Sequence, residues 1–74
     1  MLVDPLVSEK FISFMGALFV EIHAVYEKGS HSNHPEWYCA AVDLFRPGMT
    51  FRAYFTLDEY GQIFVEDLQR WWFG

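Results

Sequence analysis

Between Trp37 and Leu57 apolar residues recur with a period of two on either side of Pro47-Gly48, and nothing else in the chain constrains its fold as tightly. Closing an antiparallel hairpin on Pro47-Gly48 places Leu44 opposite Phe51, Val42 opposite Ala53, Ala40 opposite Phe55 and Tyr38 opposite Leu57. Every one of these pairs is apolar. The same register sets Asp43 opposite Arg52 on the other face, a cross-strand charge pair of a kind worth about 0.2–1 kcal/mol. Two independent patterns thus agree on one alignment, with Trp37–Arg46 and Thr50–Leu57 as the strands.

Asp58-Glu59-Tyr60-Gly61 has the composition of a three-residue hairpin turn ending in a left-handed glycine. It returns Ile63 and Val65 to the apolar face and points Phe64 and Glu66 outward beside Tyr54. Upstream the period changes. Phe11, Met15, Leu18, Ile22 and Val25 follow one another at spacings of four, three, four and three, which predicts one helix from Asp4 to Lys28, with Pro5 in its first turn and Gly29 as its left-handed cap. Downstream, Asp67–Gly74 fits either a short helical turn capped by Asp67 or an extended tail. The expected architecture is α+β: one N-terminal helix packed on a three-stranded antiparallel β-meander, forming a single domain over residues 1–74.

A chain of 74 residues buries only roughly 60% of the surface its unfolded form exposes. Eight Phe, four Tyr and three Trp are more apolar surface than one small domain readily hides. Residues binding a partner are therefore sought on the outward face of the sheet and in the tail: Phe45, Tyr54, Phe64, Trp71 and Trp72, rimmed by Asp58, Glu59 and Glu66. The back of the predicted helix carries Ser13, Gly16, Ala17, Val20 and Ala24, small residues where a solvated face would carry Lys or Glu. That stripe is the candidate interface of a homodimer.

Ten acidic residues against five basic ones give a net charge of −5, and the basic residues are scattered, which argues against nucleic acid as a partner. The same charge suits a basic protein partner. The most apolar stretch, Phe11–Val20, is half the length needed to span a bilayer of about 20 residues, and no basic segment precedes it as in an export signal. A single cysteine, Cys39, forms no intramolecular disulfide, so a reducing, cytoplasmic setting is expected.

Chemistry-bearing residues are sparse. His31 and His34, with Cys39 five residues on, are the one cluster of metal-ligand types, which His23 could join, but a zinc signature normally shows two close ligand pairs. Cys39 sits in a strand of an acidic protein without an electropositive partner, and the Asp58/Glu59 and Glu66/Asp67 neighbours cannot share a strand face, so neither nucleophilic nor acid–base catalysis is expected. The glycines are isolated and form no phosphate loop. The sequence therefore reads as a non-enzymatic, cofactor-free binding module of the inhibitor, immunity-protein or adaptor kind. A small-ligand or metal site around His31, His34 and Cys39 is the alternative.

Overall fold

The computed structural model of the chain describes residues 5–16 and 19–71. Helix α1 (Pro5–Met15) precedes four strands, β1 (Phe19–Tyr26), β2 (Tyr38–Leu44), β3 (Thr50–Leu57) and β4 (Ile63–Arg70). All neighbours pair antiparallel and lie in sequence order. The α+β class holds, with four strands where three were expected.

The extra strand comes from the segment expected to continue the helix. Gly16 adopts φ 51°, a left-handed conformation that terminates the helix after Met15. Beyond it FVEIHAVY is rich in the β-branched and aromatic residues that suit a pleated sheet. Ser13 consequently lies on α1, Gly16 at its end, and Val20 and Ala24 on β1. These residues form no common helix face, and Ala17 lies outside the described residues.

Strand β1 contains two bulges. Phe19 pairs with Leu44 and Glu21 with Asp43, leaving Val20 over; Ile22 pairs with Val42 and Ala24 with Ala41, leaving His23 over. Each extra residue kinks the strand and re-aims its neighbours.

In the β2–β3 hairpin the faces are as expected but the register is displaced by two residues. Tyr38 pairs with Phe55, Ala40 with Ala53 and Val42 with Phe51, while Asp43 faces Thr50 and Arg52 faces Ala41. Five residues, Phe45 to Met49, connect the two strands. Arg46 N–H donates to the Leu44 carbonyl at 2.8 Å around Phe45, whose φ is 71°, a γ-turn of the rare positive-φ kind. Arg46-Pro47-Gly48-Met49 follows as a type II turn, with Pro47 in the second position, Gly48 at φ 80° in the third, and Met49 N–H donating to the Arg46 carbonyl at 3.2 Å.

The turn after β3 is as expected, with Gly61 N–H and Asp58 N–H donating to the Asp58 and Gln62 carbonyls, both at 2.9 Å. Strand β4 then runs on through Asp67 to Arg70, and Trp71 N–H donates to the Thr50 carbonyl at 3.0 Å, so Asp67 caps no helical turn. A bulge at Glu66 separates the Phe55–Val65 and Tyr54–Asp67 pairs.

Helix α1 covers one face of the sheet. Phe11 is fully buried against Phe55 with ring centroids 4.7 Å apart, and Val25, Ala40, Val42, Leu44 and Ala53 complete the core around them. On the opposite, outer face Cys39, Ala41, Asp43 and Tyr54 are buried as well, although the helix lies on the other side. No helix among the described residues is long and apolar enough to cross a membrane.

Candidate functional site

The residues expected to bind a partner do not converge. Phe45 is 64% exposed in the β2–β3 loop, and Phe64 is 60% exposed opposite Thr56, next to the β3–β4 turn. The length of β3, roughly 25 Å for eight extended residues, separates them. Tyr54 is only 3% exposed and offers no contact surface. Trp71 lies over the Arg52 guanidinium at 3.7 Å, and Trp72 falls outside the described residues. Asp58 is a turn residue: its Oδ1 accepts the N–H groups of Tyr60 and Gln62, both at 2.8 Å. Glu59 is exposed in the same turn, and Glu66 accepts the Thr56 hydroxyl at 3.2 Å.

Tyr54 is buried by the loop that carries the histidines. Gly29 N–H donates to the Trp37 carbonyl, and Trp37 N–H to the His34 carbonyl, so residues 29–37 close on themselves. The His31 ring meets Tyr54 edge-on at 4.9 Å, and His34 stacks on Trp37 at 3.9 Å with an angle of 8°. Aromatic packing thus accounts for both histidines, and with Cys39 they form no group of metal-donor atoms within mutual reach among the described residues.

Cys39 instead floors a cavity of about 310 Å³ on the outer face, walled by Tyr26, Ser30, Ala41, Arg52 and Trp71. Small residues at Cys39 and Ala41 leave the hollow, and the Arg52–Trp71 stack forms one wall. Burial pushes the Cys39 thiol above its ordinary value, against the pull of the Arg52 charge. It is a poor nucleophile, since the thiolate is the reactive form.

Asp43, also on the outer face, is a hydrogen-bond hub. Its Oδ1 accepts the Thr50 hydroxyl at 2.6 Å and lies 2.9 Å from His23 Nε2, while Oδ2 accepts the Gly48 N–H at 3.1 Å. The Thr50 bond foremost, then that from His23, holds the carboxyl below its ordinary range. Glu21 lies alongside, with donor atoms of Glu21, His23 and Asp43 all within 4.8 Å of one another. The pairing of Asp43 with Arg52 expected from the sequence concealed this arrangement.

An open groove of about 730 Å³ lies between α1 and the β3–β4 turn. Leu6, Lys10 and Phe14 project from the helix on one side, and Tyr60, Gln62 and Ile63 line the other. Lys10 Nζ bridges the two walls by donating to the Gly61 carbonyl at 3.2 Å. Leu6, Phe14 and Tyr60 are 67%, 52% and 80% exposed. None belongs to the sequence-derived anchor set. The legible signal was Leu6 and Phe14 standing off the Phe11–Met15 stripe of the helix, two apolar residues two turns apart on a face that owes nothing to the core.

No protein-family model, no curated protein and no solved structure matches this chain.

Proposed function

We propose that the protein is a non-catalytic protein-binding module that docks its partner in the groove between α1 and the β3–β4 turn. The observation that carries this reading is the concentration of exposed Leu6, Phe14 and Tyr60 around one concavity. Contiguous exposed apolar surface on a small domain marks an interaction site, and Tyr and Phe anchors in a groove supply binding energy at low conformational cost. Lys10 donates to the Gly61 carbonyl and keeps its charge, and with Glu9 beside it and Glu59 in the adjoining turn the two carboxylates outweigh the one ammonium. The partner that fits presents an apolar segment flanked by Lys or Arg, which an acidic chain of net charge −5 would also attract over distance. A second copy of the chain is the competing occupant, in keeping with the homodimer expected from the sequence.

The test is affinity capture from the native host with wild type, Phe14→Ser/Tyr60→Ser and the remote control Phe45→Ser, alongside sedimentation of each. A partner retained by wild type and the control but lost from the groove variant carries the reading. Identical capture and identical mass in all three would sink it, and a dimer lost only in the groove variant assigns the groove to self-association.

A second reading is favoured by the outer-face cavity. At about 310 Å³, with aromatic walls, one cation and a hydroxyl, it falls within the size of small-ligand sites. A planar organic anion stacking on Tyr26 or Trp71 beside Arg52 is the ligand it suits. Protection of Cys39 from alkylation by such a compound, measured by mass spectrometry, distinguishes this reading from the first.

A further inference from the structure

We propose that Glu21, His23 and Asp43 form a binding site for one divalent transition-metal ion, with zinc the best match to the donor set. One imidazole and two carboxylates are the borderline-to-hard donors that zinc, manganese and iron accept. Two strands supply them, and the bulges of β1 make the set possible. With Val20 and His23 both out of register, Glu21 faces Asp43 directly and His23 reaches it from two residues away, on the same side of the sheet. A regular strand would also put residues 21 and 23 on one face, but would carry His23 opposite Ala41, a pair farther along β2.

The geometry suits coordination. Ligand atoms bound at about 2.0–2.2 Å lie about 3 Å apart at right angles and about 3.4 Å apart in a tetrahedron, and His23 Nε2 and Asp43 Oδ1, 2.9 Å apart, need open by only about half an ångström to fit either. Glu21 completes a triangle whose longest side is at most 4.8 Å. The buried ligand is already held: the Thr50 hydroxyl and the Gly48 N–H fix both oxygens of Asp43, the outer hydrogen bonding that orients metal-binding carboxylates. Glu21 and His23 are exposed, which leaves an entry path and room for water on the remaining vertices.

Charge points the same way. Two carboxylates and the His23 ring offer donor atoms within 4.8 Å of one another, and the Glu21 side chain makes no hydrogen bond or ion pair among the described residues. The position between Nε2 and Oδ1 must hold a proton or a cation, since two lone pairs cannot face one another at 2.9 Å. A metal entering there takes the place of that proton, which leaves the ring or moves to Nδ1, and relieves the repulsion between the carboxylates at the same time.

The experiment uses the untagged full chain, stripped with chelator and dialysed, with zinc binding followed by calorimetry and cobalt binding by visible absorption. The expected result is one equivalent per chain, with cobalt bands that disappear in His23→Gln and zinc affinity that falls at least about tenfold in Glu21→Gln. Thr50→Val, which removes only the support of Asp43, should weaken binding by roughly 10–100-fold. His31→Ala/His34→Ala should bind as wild type does, and circular dichroism verifies that each variant is folded. Absence of stoichiometric binding, binding unchanged in His23→Gln and Glu21→Gln, or binding lost in the His31/His34 variant would each overturn the site. None of these outcomes depends on the docking groove.

Discussion

The two faces of the sheet are buried by different means. On the helix side, burial is bulk apolar contact: Phe11 from α1 meets Phe55 from β3, and small residues at Ala40 and Ala53 let the rings approach. On the outer side the same strands are buried by paired, directional contacts. Asp43 gathers Thr50, Gly48 and His23, Tyr54 lies beneath His31 and Trp37, and Arg52 carries Trp71. Apolar contact is additive and tolerant of small shifts, whereas directional contacts depend on register. The helix side therefore supplies most of the stability, and the outer side fixes which residues stand opposite one another.

The most severe test of that division is Phe55→Ala, which removes a ring packed against both Phe11 and Tyr38. A loss of about 3–5 kcal/mol is expected from chemical denaturation; a loss below that of any outer-face variant would reverse the comparison. Next comes Asp43→Ala, which strands the Thr50 hydroxyl and the Gly48 N–H. A smaller drop in the urea midpoint is expected, together with faster amide exchange in the β2–β3 loop, because Gly48 N–H loses its acceptor. Unchanged exchange there would show that the loop is held by its backbone alone.

Smaller still is Arg52→Gln, which removes the cation from the Trp71 ring and should cost about 0.5–1 kcal/mol. The least effect on stability, and the sharpest chemical one, concerns Cys39. Because burial raises its folded-state pKa, the unfolded chain ionises first. The stability this contributes is complete below the ordinary thiol range and is lost as pH rises through the folded value. Alkylation of the native protein should accordingly lag a free thiol at pH 8 and accelerate only at higher pH, with Arg52→Gln moving the onset further up. An onset at the ordinary thiol pKa would mean that the outer face is open to water.

The sequence made the faces of β2 and β3 legible but not their register, and the reason is physical. A displacement of two residues leaves every side chain on its own face, so apolar pairing alone cannot separate the two alignments. The choice was made in the loop, where Phe45 adopts the positive φ of a γ-turn and lengthens the connection. The helix boundary was hidden by a related effect. The bulge at His23 turns the two-residue period of β1 into a step of three between Ile22 and Val25, which is helical spacing produced by a strand. Gly16 was the one local sign against a continuous helix. Of the candidate sites, Asp43 is visible as a strand aspartate, but the two-residue displacement puts Thr50 rather than Arg52 opposite it, and His23 lies on β1 rather than on a helix. Burial of Tyr54 was not legible, because it comes from a loop whose folding rests on aromatic stacking rather than on any periodic pattern.

The bulges have a further effect at the margins of the sheet. Among the described residues β1 and β4 are the edge strands, and an edge strand presents a row of amide and carbonyl groups that could template another chain. Both strands are interrupted, at Val20, His23 and Glu66, so neither offers a long, flat ladder. Continuation of the sheet into a second molecule by strand addition is disfavoured on both sides. Contacts made by the side chains of its two faces are favoured over strand-to-strand pairing along these edges.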